Sequence, residues 1–241
     1  MKRALRVAGS LALLLVARSA GAAPLGWGAL DSPGLAPQLK VLALLTILSL
    51  LPAIVLTMTS FTRSVVVLSF VRQGIGTQQS PPTQVIVGLA LFLTMFTMAP
   101  VATRVLAEAY EPYAAGTIGE REAIERATSP LRKFMLRQTR DKDLALFYEA
   151  AALPLPTTEE QVPLQICVPA FVVSELTTAF QMGVLVLLPF LVVDLAVSAI
   201  LMSLGMMMVP PGTMSLPIKL LLFVVVDGWH LVVGSLLRSY T

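Results

Sequence analysis

The stretch VLVLLPFLVVDLAVSAILMSL, Val184 to Leu204, decides the fold. It is apolar over the roughly 20 residues that a helix needs to cross a bilayer. It makes two exceptions. Pro189 removes a helix hydrogen bond and kinks or breaks the helix. Asp194 is too short and too deep to snorkel and needs a partner. Broken, charge-bearing helices are tolerated at membrane depth only where they are buried in protein or line an aqueous cavity. The segment therefore reads as a packing unit of an assembly.

Three more segments of this kind flank it. Leu39 to Phe61 carries Lys40 and Pro52, Gln84 to Leu106 carries Pro100, and Ile218 to Leu237 carries Lys219 and Asp227. Between the second and third lies Glu108 to Gln165, which holds most of the chain's charged residues, with both signs among them. There Leu131, Phe134, Met135 and Gln138 recur at helical spacing, with Arg132, Lys133, Arg137 and Arg140 off that stripe. Arg63 to Pro82 reads as a polar connector, Pro169 to Phe180 as a short helix carrying Glu175, and Gly205 to Pro217 as a loop. The expected fold is an all-α membrane protein, with four long, proline-broken apolar helical segments and a polar helical subdomain between the second and third. The expected division is a cleavable signal peptide at 1–22, a flexible linker at 23–38, a helical hairpin at 39–107, an extracytoplasmic polar subdomain at 108–168, and a second hairpin with a Met-rich loop at 169–241.

Bulk composition agrees. Of 241 residues 56% are hydrophobic and 13% charged, and the mean hydropathy is +0.82. A soluble domain carries roughly 25% charged residues. The net charge of +3 is small and unclustered, which argues against nucleic-acid binding. A lone cysteine, Cys167, forms no intrachain disulfide, and a lone histidine, His230, builds no multi-histidine metal site. No Walker loop, dinucleotide fingerprint or zincin helix occurs, and no cofactor is implied.

The first residues have the secretory signal layout: basic Lys2, Arg3 and Arg6, apolar Leu11 to Val16, and small Ala20-Gly21-Ala22. Cleavage is expected near Ala22 or Ala23, which starts the mature chain outside the cytoplasm. Arg63 and Arg72, with no acid in the connector 62–83, place that connector in the cytoplasm by the positive-inside rule. Four crossings then put 108–165 outside.

Ordered motifs run along the chain: Thr57-Met58-Thr59-Ser60-Phe61-Thr62-Arg63, Arg72-Gln73, Gly76-Thr77-Gln78-Gln79 and Pro81-Pro82; Pro130-Leu131-Arg132-Lys133-Phe134-Met135, Gln138-Thr139-Arg140 and Asp143-Leu144; Pro169-Ala170-Phe171, Ser174-Glu175-Leu176 and Met182-Gly183; and Gly205-Met206-Met207-Met208-Val209-Pro210-Pro211, Leu216-Pro217, Lys219-Leu220 and Asp227-Gly228-Trp229. In this order they resemble the FliP family, and also its injectisome counterpart, SctR. The signal-like N-terminus favours the flagellar branch. The resemblance implies a non-enzymatic homo-oligomer around a central channel, in the inner membrane of the flagellar basal body and partly on its periplasmic side. It implies FliQ, FliR and FlhB as partners, FlhA nearby, membrane lipid, and passage of unfolded flagellar proteins driven by other components.

Met206, Met207 and Met208 are the candidate gate. Methionine adapts to irregular partners, and these three sit between Gly205 and Pro210. On the residues alone, plain packing is the favoured reading, and the resemblance turns it to the gate. Asp194 and Lys219 are the candidate charge pair. With the loop taken as 206–216, Asp194 lies about 18 Å below it and Lys219 about 3–5 Å. A straight hairpin does not pair them on that measure, so an inter-subunit bridge is expected. Arg63, Glu175, Asp227 and Trp229 are assembly or packing candidates; Arg63 also reads as a topology determinant and Glu175 as locally capped or paired. A small-solute transporter is the remote alternative. It would more often show an internal repeat, and none is visible.

Overall fold

Backbone groups in an apolar solvent must satisfy one another, and the helix does so within a single segment. The computed structural model describes residues 37–77, 80–156, 158–206 and 208–240, and among them every regular element is helical. In chain order these are α1 (Pro37–Thr57), α2 (Phe61–Ile75), α3 (Thr83–Val105), α4 (Glu111–Ala114), α5 (Glu120–Gln138), α6 (Asp141–Ala150), α7 (Leu164–Ser203), α8 (Pro211–Val225) and α9 (Gly228–Arg238). A π-turn, Leu106–Tyr110, joins α3 to α4. The chain divides into a unit ending at Pro52 and a second unit, Ala53–Thr241, which holds all the elements from α2 onward. The expected signal peptide and the linker up to residue 36 lie outside the described residues, and Pro37 and Gln38, the last of that linker, begin α1.

The helix α7 is the spine of the second unit. At 40 residues it is about 60 Å long, twice the hydrocarbon thickness of a bilayer. The separate helices expected on either side of Gln181 to Gly183 are therefore one helix. Its prolines, Pro169 and Pro189, each remove a hydrogen bond without ending it, because α2, α5, α6 and α8 all pack along its length. Gly183 costs helix propensity, about 1 kcal/mol against Ala, and serves packing instead. A Cβ there would lie 2.2 Å from the Phe70 ring of α2, and one on Gly74 of α2 would lie 2.6 Å from Phe190 of α7. These two glycines set how closely the helices approach.

Two apolar cores form along this spine. One gathers Val67 and Leu68 of α2, Ile86 and Ala90 of α3, Phe190 of α7 and Phe223 of α8. The other gathers Met135 of α5, Tyr148 of α6, and Cys167 and Phe171 of α7. Burial of each large side chain contributes about 1.5–3 kcal/mol. Met135 thus confirms the expected inward stripe on α5. The exposed face of α5 carries the pairs Arg121–Glu125 and Arg126–Glu122, which add little in water.

Three expected boundaries move. Arg63 to Pro82 is not a polar connector, since α2 fills most of it and contributes to the core. The loop after the third segment is 204–210, shorter than expected, because Pro210 and Pro211 suit a helix start and α8 begins at Pro211. The fourth segment is two helices bent by 61°. The bend falls at Asp227, which is left-handed with φ 51°, and a Cβ on Gly228 beside it would lie 2.2 Å from Phe223.

By length and composition α3 with its extension (Thr83–Ala114) and α7 are long and apolar enough to cross a membrane, and counting bent pairs as single spans gives up to four.

Candidate functional site

Arg63 and Glu175 form the centre of the most buried polar network. Arg63 stands in the first turn of α2, and Glu175 lies 112 residues further on in α7. Their exposures are 2% and 0%. A guanidinium has five N–H donors in a rigid fork, and all five are engaged. Nε donates to Glu175 Oε2 at 3.0 Å, and Nη2 donates to Glu175 Oε1 and to Gln138 Oε1 at 3.1 Å. Nη1 donates to the Ser239 carbonyl at 3.1 Å and its hydroxyl at 2.9 Å. The Tyr240 ring lies under the guanidinium with its centroid at 4.1 Å. Its hydroxyl, with a single proton, donates to Glu175 Oε2 at 2.9 Å and has the Ser60 carbonyl within reach at 3.2 Å. Burial and the neighbouring Glu175 carboxylate push the Tyr240 phenol well above its ordinary value, so it remains a donor. Four parts of the chain meet here: α2, the end of α5, α7 and the tail after α9. The arrangement holds elements together and leaves no donor of Arg63 for a ligand.

Beside it is a second knot. Arg140 Nε and Ser174 Oγ donate to Asp143 Oδ2 at 2.7 and 2.6 Å, and the Arg140 amide donates to Ser174 Oγ at 3.0 Å. Burial alone would raise the Asp143 carboxyl; Ser174 and Arg140 outweigh it and hold the carboxyl below the usual range. This knot fastens the start of α6, where a helix N-terminus favours negative charge, to α7.

In the third knot the two residues expected to bridge subunits meet within one chain. Lys219 Nζ donates to Asp194 Oδ2 at 2.5 Å within one chain, and Ser215 Oγ donates to Oδ1 at 2.5 Å. The reason is the shorter loop. Asp194 is nine residues before Ser203, about 14 Å, and Lys219 is eight residues after Pro211, about 12 Å, so the two come level. Lys219 is buried while Asp194 is 35% exposed in its side chain. A Cβ on Gly76, the left-handed residue that ends α2, would lie 3.7 Å from Lys219 Nζ. The ammonium thus also sits near a helix C-terminus, where cations are favoured.

The remaining candidates scatter. Met206 and Met208 lie on the loop between α7 and α8, with Met208 99% exposed; Met207 lies outside the described residues. Asp227 and Trp229 are exposed, and Trp229 packs edge-on to Phe223 at 5.3 Å. Arg72 is not a free loop charge: it donates to Thr83 Oγ1 at 3.0 Å, tying α2 to α3. Arg63 is buried, and Glu175 is paired with it across the fold rather than locally. The sequence reading missed Ser239 and Tyr240, which nothing local marks. Asp143 and Ser174 stood out only as motif members, and Gln138 and Arg140 only as motif members and as positions on and off the helical stripe.

These observations define a class: a protein helical throughout its described residues, with helices long and apolar enough to cross a membrane and with its buried charges committed to structure. The FliP family model matches residues 44–236. The flagellar biosynthetic protein FliP of Pectobacterium carotovorum is 55% identical over 203 residues, covering 84% of this chain and 79% of that one. FliP of Bacillus subtilis is 50% identical over 210 residues, covering 87% and 95%, and FliP of Aquifex aeolicus is 48% identical over 208, covering 86% and 87%. The chain belongs to the FliP family.

Proposed function

We propose that this chain is a pore-forming core subunit of the flagellar type III protein export gate in the bacterial inner membrane, passing unfolded flagellar proteins outward. Membership of the FliP family over residues 44–236 carries the reading. On it, several copies assemble with FliQ, FliR and FlhB, with FlhA nearby, and the role is transport rather than catalysis. Two physical features support assembly. Large apolar side chains stand exposed on α3, α7 and α8, among them Phe92, Phe96, Leu195 and Val224, and need apolar chains or lipid to cover them. The buried charges are internally paired, so they leave subunit faces apolar.

In this reading Met206 to Met208 form the gate. In a strain lacking its own copy of the gene, the intact chain should restore secretion of flagellar subunits into the medium; assembly without secretion would overturn the export reading. Replacing all three methionines by Ala should preserve assembly and secretion yet raise leak of small ions. Unchanged leak in an assembled variant would assign the cluster to packing.

A further inference from the structure

Arg104 near the end of α3 faces Lys133 and Arg137 of α5 across a cleft of about 120 Å³. Pro100, Phe134 and Tyr240 also line it, and no acidic residue does. None of the three cations takes part in the ion pairs of the described residues. Like charges around one small cleft favour an anion there. The cleft also touches the Arg63 network, since Gln138 and Tyr240 belong to both.

The position identifies the anion. Thr83 to Thr103 carries no charged residue, and those 21 residues make about 31 Å of helix, the thickness of a hydrocarbon core. Arg104 is the next residue, so with α3 crossing a bilayer, as its length and composition allow, the cleft opens at the depth of lipid headgroups. Phe96 and Phe92, one and two turns back from Pro100, are 70% and 69% exposed. They offer acyl chains a track that leads to the cleft. We propose that this cleft binds the phosphate-bearing headgroup of an anionic phospholipid, with Arg104, Lys133 and Arg137 holding the phosphate and α3 holding the chains.

The test uses the full chain, purified in a neutral detergent and titrated with phosphatidylglycerol, phosphatidylcholine or inorganic phosphate, with lipid retention by native mass spectrometry and melting temperature as readouts. Phosphatidylglycerol should be retained and should raise the melting temperature, and phosphatidylcholine should do neither. Each basic group near an anionic headgroup is worth about 1 kcal/mol, about fivefold in affinity. Lys133→Gln, on the exposed face of α5, should therefore weaken retention about fivefold, and the triple variant with Arg104→Gln and Arg137→Gln about a hundredfold. Should the triple variant not fold, Lys133→Gln and a salt titration of the unaltered chain still decide, because retention should fall as salt rises. Equal retention of both lipids, or no loss in Lys133→Gln, overturns the proposal. An equal melting shift with inorganic phosphate overturns the lipid assignment.

Discussion

At the residue scale, a buried charge is stable only when its partners are complete. Removing one member of a buried pair leaves an uncompensated charge and costs about 3–5 kcal/mol. Arg63→Ala and Glu175→Ala should each lose stability on that scale in detergent melts. Arg63→Lys should not rescue, since an ammonium has three donors and no fork; a melt like that of the unaltered chain would show the network to be dispensable. Asp143 behaves differently, because its folded carboxyl is held below the ordinary value near 3.9 by Ser174 and Arg140. Its contribution is present in full above the unfolded value and is lost as pH falls through the lower folded value. Acidification below about pH 4 should therefore loosen α6 from α7. Asp143→Asn should flatten that part of the pH–stability curve, and an unchanged acid limb would remove Asp143 from the account. The sequence showed that ionisable residues in apolar segments need partners. It did not show which, because Arg63 and Glu175 are 112 residues apart and Asp143 and Ser174 are 31 apart.

At the element scale, prolines misled and periodicity did not. The helical stripe on α5 was legible because spacing of 3–4 residues is a local property. The break expected in α7 was not there, since the lost hydrogen bonds at Pro169 and Pro189 are outweighed by packing on both halves of the helix. The loop before α8 was set too long, and that displaced Lys219 from Asp194 by about three turns. Since the pair forms within the chain, its loss should act on the single subunit. Lys219→Ala should lower the melting temperature of the isolated chain independently of protein concentration. The swap Asp194→Lys with Lys219→Asp should recover part of it. A concentration-dependent loss, seen only in the assembled state, would return the pair to a subunit interface.

At the scale of the whole second unit, the Arg63 network closes the chain on itself. It joins Ser60 and Arg63 to Ser239 and Tyr240, separations of 176 and 180 residues, by way of Glu175 and Gln138. Composition announced helices in an apolar medium, but no pattern in the sequence announced this closure. It matters because α9 buries few large side chains of its own, chiefly Val232 and Leu236. Its anchorage therefore depends on Tyr240, which stacks on Phe134 with centroids 6.1 Å apart as well as lying under Arg63. Tyr240→Phe keeps the ring but removes the one donor that Glu175 and the Ser60 carbonyl share, a cost of about 1–3 kcal/mol. Tyr240→Ala also loses the ring's attraction to the guanidinium, up to about 2 kcal/mol when desolvated. Hydrogen exchange separates a closure from a local anchor. In both variants the amides of α2 and α9 should lose protection together, more so in Tyr240→Ala. The α6 amides fastened by Asp143 and Ser174 should change little, because that knot shares no hydrogen bond with Tyr240. Faster exchange confined to α9, with α2 protected as in the unaltered chain, would mean that Tyr240 anchors only its own helix and that the two ends of the unit are held independently.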